Sequence, residues 1–336
     1  MWGKEYTFPD ICYGIKQNTI LRELMIRRFC VLKKRLNKQA SWKRRNLGFY
    51  ILLMAFPVIQ FCIFYIGVNA KSIMMAFQRI DMAGGTTQWT FDNIKEAFRM
   101  MTTSPQMLSI LSVSLISYLL TQGIGIPLAL FFSYYIYKKL PGHGFFRVIL
   151  FLPSIISAIV LATIYQFFVE RAVPAMLLQF FNMEIEGLMV NTETCYGFLV
   201  FYNVLISFGT SVLMYSNSMS GISHDLSGAA QIDGASVFQE FWHVTLPGVF
   251  PTLMPFLIAG VATIFTNQFN LFSFYGATAP DEVQTYGYYL YVKALGAKSV
   301  SEYPLLSAMG LMMTVVVVPV TLLVKRLLET HGPRED

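Results

Sequence analysis

Charged residues are scarce in this chain and are missing from the interiors of its long apolar runs, with Arg147 at the edge of one run. They make up 13% of the 336 residues, roughly half the share found in an ordinary soluble domain. Hydrophobic residues reach 55% and the mean hydropathy is +0.52. This composition predicts an integral membrane protein. Proton-coupled carriers and intramembrane proteases need ionisable groups inside the membrane, so the absence of such groups argues against both classes. A sodium site built from carbonyl oxygens stays open.

Cysteine and histidine are also few, with four of each at scattered positions that match neither a metal site nor a disulfide framework. We interpret His224 and His243 as surface residues, and we expect no metal site. The chain has no G-x-x-x-x-G-K-[ST] phosphate-binding motif, so it is not expected to hydrolyse ATP by that route. We expect no catalytic residue. A polytopic membrane enzyme is a less favoured alternative, because it would need clustered Asp, His or Glu at a membrane face.

Six apolar runs are long enough, at about 20 residues, to cross a bilayer as helices. They are Leu47–Asn69, Met107–Tyr137, Phe145–Val169, Tyr196–Asn217, Leu253–Phe274 and Leu305–Val324. We therefore predict an all-α integral membrane protein. It should have a basic tail over residues 1–46, a six-span domain over 47–328 and a short tail over 329–336.

The distribution of basic residues predicts the orientation of these spans. With both termini in the cytoplasm, 18 of the 25 Lys and Arg residues face inwards, as the positive-inside rule requires. We interpret the tail over 1–46 as an electrostatic contact with membrane lipid, in preference to a regulatory or nucleic-acid-binding element. The loop over 218–250 also faces inwards but contains no Lys or Arg. A segment that enters a groove on another protein needs no attraction to anionic lipid, which favours a docking role.

Uncharged polar side chains interrupt the fourth and fifth runs. Asn203, Ser207 and Thr210 recur at steps of four and three residues, which places them on one face of a helix. The fifth run carries four more candidates, which are Thr263, Asn267, Gln268 and Asn270. At membrane depth such groups must bond to a neighbouring helix, to water or to a solute. Beside aromatic rings they suit a neutral sugar, and bonding between helices is the alternative for each of them.

The segment from Asp225 to Pro247 reads DLSGAAQIDGASVFQEFWHVTLP and has the length of two short helices joined by a turn. Gly234 is expected to form the turn, and Pro247 is expected to end the second helix. An ordinary connecting loop is the alternative to a docking element. The candidate docking residues are Asp225, Gly228, Ala229, Ala230, Asp233, Gly234, Ala235, Leu246 and Pro247.

The spacing of Ala229-Ala230, Asp233-Gly234-Ala235 and Leu246-Pro247 resembles the EAA loop of importer permeases of the ATP-binding cassette class. Gly228 departs from that pattern, because the family usually carries Glu there. Three further segments resemble the same family in order, namely Trp89-Thr-Phe-Asp-Asn-Ile-Lys, Gln122-Gly-Ile-Gly-Ile-Pro127-Leu-Ala-Leu, and Phe145-Phe-Arg147 leading to Leu152-Pro153. The region over 43–328 is thus similar to maltose-type sugar permeases with the MetI-like fold.

That resemblance implies one half of the translocation pathway for a sugar or oligosaccharide in the bacterial cytoplasmic membrane. It implies three kinds of partner: a second permease, a dimer of ATPase subunits that bind ATP and magnesium, and an extracytoplasmic solute-binding protein. No cofactor on this chain and no nucleic acid are expected. The family's sugar contacts fall at Asn203, Ser207 and Thr210, with Thr263 and Asn267 matching less securely. A permease of the same fold for a non-sugar solute is the alternative.

Overall fold

The computed structural model describes residues 47–80, 87–183, 187–189 and 192–333. Across these residues the secondary structure is helical apart from one small sheet. Six helices are long and apolar enough to cross a membrane, which confirms the predicted fold class and number of spans. The basic tail over 1–46 lies outside the described residues, as do Cys12 and Cys30, so the predicted domain boundaries stay predictions.

The chain divides after Lys71 into two compact units. The described part of the first unit belongs to helix α1, Leu47–Ala76, which widens into a π-helical stretch at Phe61–Gly67. Most large apolar side chains in this part are exposed, as suits a helix surrounded by lipid.

The second unit opens with the end of α1 and a hairpin. Strand β1, Gln78–Ile80, pairs antiparallel with β2, Thr87–Trp89. The helices that follow are α2 Asp92–Thr103, α3 Pro105–Tyr137, α4 His143–Phe151, α5 Ala158–Phe181, α6 Thr192–Met219, α7 His224–Ile232, α8 Val237–Ala262, α9 Leu271–Tyr275, α10 Tyr286–Gly296 and α11 Tyr303–His331. The membrane-length helices of this unit are α3, α5, α6, α8 and α11.

Helices α3 and α6 pack closely because small residues line their contact. Gly125, Ala129 and Ser133 are buried at steps of four along α3. Small side chains at this spacing let two helices approach within a membrane, where apolar burial alone gives little preference for protein over lipid. Ser133 Oγ also donates across the contact to the carbonyl oxygen of Val212 on α6, at 3.0 Å.

The third span differs from the predicted run Phe145–Val169. Residues 145–151 belong to the short helix α4, and a 3₁₀ turn at Leu152–Ser154 follows. Pro153 has no backbone N–H and disfavours helical conformation in the residue before it, which accounts for the interruption. The membrane-length helix is α5, which begins only at Ala158 and ends at Phe181.

This later start changes the charge content of the third span. Helix α5 includes Glu170 and Arg171, which lie beyond the predicted run Phe145–Val169 and near the middle of the helix in the structure. Glu170 Oε1 accepts a hydrogen bond from Gln166 Nε2 at 3.1 Å. The Arg171 guanidinium lies 5.7 Å from the centre of the Phe167 ring.

The fifth span also differs, because α8 begins in the preceding loop and ends at Ala262 instead of Phe274. The helix continues through Pro247, so the prediction that this proline ends a helix is wrong. Pro247 follows the π-helical stretch Phe241–Thr245, which shifts the hydrogen-bond ladder, and it lies in the first turn of the α-helical segment, where a missing N–H is tolerated. Residues 263–270 then form turns.

Candidate functional site

A polar cleft of about 410 Å³ lies between α3, α6 and the end of α8. None of the described residues that line it is charged. Its polar side chains are Thr121, Gln122, Asn203, Ser207, Ser211, Tyr215, Thr263, Asn267 and Asn270. Aromatic side chains complete the lining, with Phe208, Tyr215, Phe256 and Phe269. The cleft therefore offers hydroxyls, amides and ring faces without a fixed charge.

The end of α8 shapes one side of this cleft. Thr263 Oγ1 donates to the carbonyl oxygen of Gly260 at 3.0 Å, on the last turn of the helix. Further along, Phe269 and Asn270 both have φ of +56°. This left-handed region is rare for residues other than glycine, and for a bulky residue such as Phe it is an outlier. Such a conformation persists only where surrounding contacts hold it.

Asn203 on α6 supplies those contacts. Its Nδ2 donates to the carbonyl oxygens of Leu199, at 2.9 Å, and Phe269, at 3.1 Å. Its Oδ1 accepts from Asn270 Nδ2 at 2.8 Å. The residue is only 7% exposed. Because these bonds use both amide hydrogens, Asn203 fits the interhelical alternative better than a direct contact with a solute.

Helix α10 holds the same turn from the other side. Thr285 Oγ1 donates to the carbonyl oxygen of Asn267 at 3.0 Å, and Asn267 Oδ1 accepts from the backbone N–H of Phe269 at 2.8 Å. Gly287 approaches so closely that a Cβ atom there would lie 2.5 Å from the carbonyl oxygen of Thr266. Only glycine permits this contact, so the path of the turn depends on α10 as well as on α6.

Thr121 and Gln122 of α3 were missed as site residues by sequence reasoning. A signal existed, because Ser114, Ser117 and Thr121 recur at steps of three and four along an apolar helix. Ser114 Oγ accepts from the backbone N–H of Tyr286 at 2.7 Å, and Ser117 Oγ lies 2.9 Å from the Tyr196 hydroxyl oxygen. Thr121 lines the cleft, and its Oγ1 is buried and has no hydrogen-bond partner within the described part of the chain.

The loop before α8 forms a second feature. The Gly234 and Ala235 N–H groups donate to the carbonyl oxygens of Gln231, at 3.1 Å, and Ala230, at 2.9 Å, which closes the end of α7. Gly234 has φ of +77°, which confirms the predicted turn. Ser236 and Gln239 then form a reciprocal capping box at the start of α8.

The surface of this loop is unusually apolar for an exposed segment. Five large apolar side chains, each more than half exposed, lie on it: Leu226, Ile232, Val237, Phe238 and Trp242. Phe238 and Trp242 stack with their ring centres 6.1 Å apart. A groove of about 340 Å³ lies beside them, with Ala230, Asp233, Gly234 and Ala235 along it. Several large apolar side chains exposed on one short segment are typical of a protein interface.

Comparison with known proteins identifies the family. The family model described as "Binding-protein-dependent transport system inner membrane component" matches residues 123–335, well over half of the chain. The chain belongs to this family. The permease is accordingly a multi-pass inner-membrane protein. The loop lies within the matched residues, as do all the lining residues of the cleft except Thr121 and Gln122.

Several curated permeases are similar to this one over part or most of its length. It is 29% identical over 186 residues to the maltose/maltodextrin transport system permease protein MalF of Vibrio vulnificus, covering 53% of this chain and 33% of that one. It is 26% identical over 220 residues to the probable ABC transporter permease protein YesP of Bacillus subtilis, covering 65% and 70%. The permease thus spans about a third of the length of MalF and over two thirds of YesP.

A third relative is the arabinooligosaccharides transport system permease protein AraP of Halalkalibacterium halodurans, 25% identical over 239 residues, with 70% of this chain and 73% of that one covered. A chain from the crystal structure of a bacterial ABC transporter involved in the import of the acidic polysaccharide alginate superposes with a TM-score of 0.72 at 20% identity. The match covers 88% of the permease and 99% of that chain, and it shows that the two share a fold.

Most of the predicted solute-facing residues meet in the cleft. Ser207, Thr263, Asn267 and Asn270 line it together with Asn203. Thr263, Asn267 and Asn270 were predicted on an intact fifth helix, but they lie after the end of α8. Thr210 and Gln268 do not line it. Thr210 is exposed on the flank of α6, because the cleft follows steps of four residues, from Asn203 through Ser207 to Ser211.

The predicted docking residues divide into two groups. Those from Asp225 to Ala235 lie on α7 and its turn, next to the exposed apolar side chains. Leu246 and Pro247 instead lie within α8, half-buried, and Leu246 packs against the core that joins α3, α6 and α8. Their assignment to the docking residues stays a prediction. Gly228 leaves open space where a Cβ atom would lie, so a longer side chain fits there.

Proposed function

We propose that the permease forms one half of the translocation pathway of an ATP-driven importer for a neutral sugar or oligosaccharide. The observation that carries this proposal is the uncharged cleft, where amides and hydroxyls lie beside aromatic rings. A sugar presents hydroxyls that donate and accept hydrogen bonds, and ring faces that pack on aromatic side chains. Thr121 and Gln122 of α3 and Ser207 of α6 are among the residues that supply such groups to the cleft. The names of the maltose/maltodextrin and arabinooligosaccharide relatives support the same solute class.

The proposal includes three partners and assigns the energy source to one of them. A second permease completes the pathway, an extracytoplasmic binding protein delivers the solute, and a dimer of ATPase subunits binds ATP and magnesium. In this scheme the permease is not an enzyme and holds no cofactor. The exposed apolar side chains around α7 support docking of an ATPase there, because interface cores favour large apolar and aromatic residues.

Both termini and the loop over 218–250 are proposed to lie in the cytoplasm. Arg147 Nη2 donates to Asn217 Oδ1 at 3.3 Å, which brings a basic side chain to the end of α6 next to the loop, as the positive-inside rule favours. A membrane-impermeant maleimide should label Asp281→Cys in sealed cells and spare Asp233→Cys, in a chain without native cysteines. The reverse pattern would contradict the orientation. Native Cys195 is unsuitable for this test because it is only 1% exposed.

The transport proposal is tested by reconstituting the permease with its co-encoded partners in proteoliposomes. ATP-dependent uptake of maltotriose, arabinotriose, an alginate trisaccharide and putrescine should be compared. We expect a neutral oligosaccharide to accumulate, and accumulation of putrescine alone would favour the non-sugar alternative.

The cleft itself is tested by two hydroxyl substitutions on the same chain. Thr121→Val should lower sugar uptake about tenfold, since a hydrogen bond in a buried site is worth roughly 1.4 kcal/mol. Thr210→Val is the matched control, because Thr210 lies on α6 outside the cleft. Equal losses in both variants would count against the cleft as the pathway.

A further inference from the structure

A buried ion pair joins the loop over 218–250 to α3. Glu240, near the start of α8, has a side chain only 4% exposed and pairs with Lys138, the residue after the end of α3. Ser227 of α7 donates to the same carboxylate oxygen, Oε1, and Lys138 Nζ lies 3.2 Å from Ser227 Oγ. One carboxylate therefore links three elements, and we refer to Lys138, Glu240 and Ser227 as the charged node.

Aromatic rings enclose the charged node on the α3 side. Lys138 Nζ lies 5.5 Å from the ring centre of Tyr134 and 5.6 Å from that of Tyr137, both within reach of a cation–π attraction. Tyr134 also donates its hydroxyl to the carbonyl oxygen of Val237 at 3.3 Å, and its ring lies 5.1 Å from that of Phe241. The last turns of α3 are thus tied to the start of α8 by charge, by a hydrogen bond and by packing.

The charged node contributes mainly to the relative orientation of the elements it joins, and little to net stability. Burying two charges costs desolvation free energy that their attraction roughly offsets, so apolar residues of similar volume often give equal stability. What an ion pair with fixed partners adds is a defined geometry between the elements that carry it. Residues 218–250 contain no Lys or Arg, so the cation that neutralises Glu240 comes from a different element, namely α3.

The two walls of the cleft differ in how they connect to the loop. Helix α8 starts in the loop and runs as one helix to Ala259 and Gly260, which line the cleft, so any movement of the loop reaches that wall through the backbone. Helix α3 has no such covalent connection. It carries Thr121 and Gln122 into the cleft, and Gln122 lies 15 residues before Tyr137, or about 22 Å along the helix.

We propose that the charged node is the joint through which the loop moves α3, so that Lys138 and Glu240 act as positioning residues for the Thr121–Gln122 wall of the cleft. The inference rests on the proposed function as an ATP-driven permease. When an ATPase displaces the loop, the node makes α3 follow, and both walls of the cleft move together. Without the node, α8 still follows the loop and α3 does not.

The test places a reporter on each wall in a chain whose four native cysteines are replaced by alanine. Gln122→Cys reports on α3 and Thr263→Cys on the end of α8. The rate of labelling by a water-soluble maleimide is measured in the assembled complex, with and without trapping by ATP and vanadate. No transported solute is needed. Each reporter is combined with Lys138→Gln, with Glu240→Gln, or with the matched control Lys139→Gln, which removes the same charge from an exposed neighbouring position.

We expect trapping to change the labelling rate at both reporters in the parent and in the Lys139→Gln control, by about fivefold or more. In Lys138→Gln the change at Gln122→Cys should be lost while the change at Thr263→Cys remains. Exchange of the two charges, by Lys138→Glu with Glu240→Lys, should restore part of the response at Gln122→Cys.

The proposal is wrong if Gln122→Cys still responds fully in Lys138→Gln, because α3 would then follow α8 through packing alone. It is equally wrong if both reporters lose their response in parallel with loss of assembled complex in Lys138→Gln and in Glu240→Gln, as a purely structural role predicts. Glu240→Gln keeps the side-chain volume and decides the matter if Lys138→Gln does not assemble. Failure of both reporters in the parent complex would instead contradict the proposed ATP-driven function.

Discussion

Two turns flank helix α8, and the permease holds them in different ways. After α8, the turn over residues 263–270 contains two left-handed residues, Phe269 and Asn270, and neutral hydrogen bonds from Asn203 and Thr285 hold it. Before α8, the turn at Gly234 uses a residue that adopts the left-handed region without strain, and local backbone bonds close it. The turn after α8 depends on distant helices, whereas the turn at Gly234 is closed by hydrogen bonds within its own segment.

The kind of polar group also differs between the two regions. The turn after α8 is held by amides and hydroxyls, and the described residues that line the cleft beside it carry no charge. The loop over 218–250, which includes the first turns of α8, is joined to the end of α3 through the ion pair of Glu240 with Lys138. An ionised group in the middle of a membrane is far more costly than an amide, so a neutral network suits the cleft and a charged one suits a helix end. Four substitutions test this comparison, from the largest expected effect to the smallest.

Replacing Gly287 by Val should have the largest effect, because the new Cβ would lie 2.5 Å from the carbonyl oxygen of Thr266. Overpacking of this kind costs about 1–3 kcal/mol and forces α10 away from the turn. The thermal unfolding temperature of the purified complex should fall, and uptake with it. Gly296→Val is the matched control, since a Cβ there meets no atom within 4 Å. Equal behaviour of the two variants would show that the turn does not depend on α10.

Replacing Asn203 by Ala should have the next largest effect. It leaves the Phe269 carbonyl oxygen and the Asn270 amide without their partner, at a cost of about 1–3 kcal/mol. Because Asn203 holds the turn, the amount of assembled complex and the rate of uptake should fall together. Ser207→Ala, four residues along the same face, should lower uptake with little change in stability. Normal assembly of Asn203→Ala with impaired uptake would instead favour direct contact with the sugar.

Replacing Gly234 by Leu tests the self-contained turn. A left-handed conformation costs a residue with a side chain about 1–2 kcal/mol, so the end of α7 should rearrange while the spans stay intact. We expect normal membrane insertion with ATP hydrolysis no longer coupled to uptake. Ser220→Leu serves as a control near the loop, at an exposed position before α7. Transport at the parent level in Gly234→Leu would argue against docking of an ATPase at this turn.

Replacing Gly228 by Glu should have the smallest effect, and we expect it to strengthen binding of the ATPase subunit. The side chain has open space, so it should not disturb α7. A surface ion pair with a docked partner contributes about 0–1 kcal/mol, which predicts an increase of at most about fivefold in affinity for the ATPase subunit. Titration of the ATPase against the permease, at low and high salt, measures this affinity. A loss of affinity would show that the docked surface has no room for a carboxylate.

Sequence reasoning went furthest where a local pattern has a local cause. Span number follows from the length of apolar runs, and the turn at Gly234 follows from small residues between two helical segments. The errors fall at prolines and at interrupted helices. Pro153 interrupts the third span and delays its start, whereas Pro247 is accommodated inside α8. Proline thus interrupts one helix and is accommodated in another, because the backbone hydrogen bonds of the residues before it differ.

The sequence by itself determined that the protein is a six-span membrane protein with polar groups in its fourth and fifth runs, since hydropathy and spacing are properties of the chain alone. Only the tertiary structure decided what those groups do. Asn203 holds a strained turn because Phe269 comes within hydrogen-bond distance of it. Glu240 is neutralised because the end of α3 brings Lys138 to it, 102 residues away along the chain. Such roles depend on which distant groups meet, and helical spacing within one segment cannot specify that.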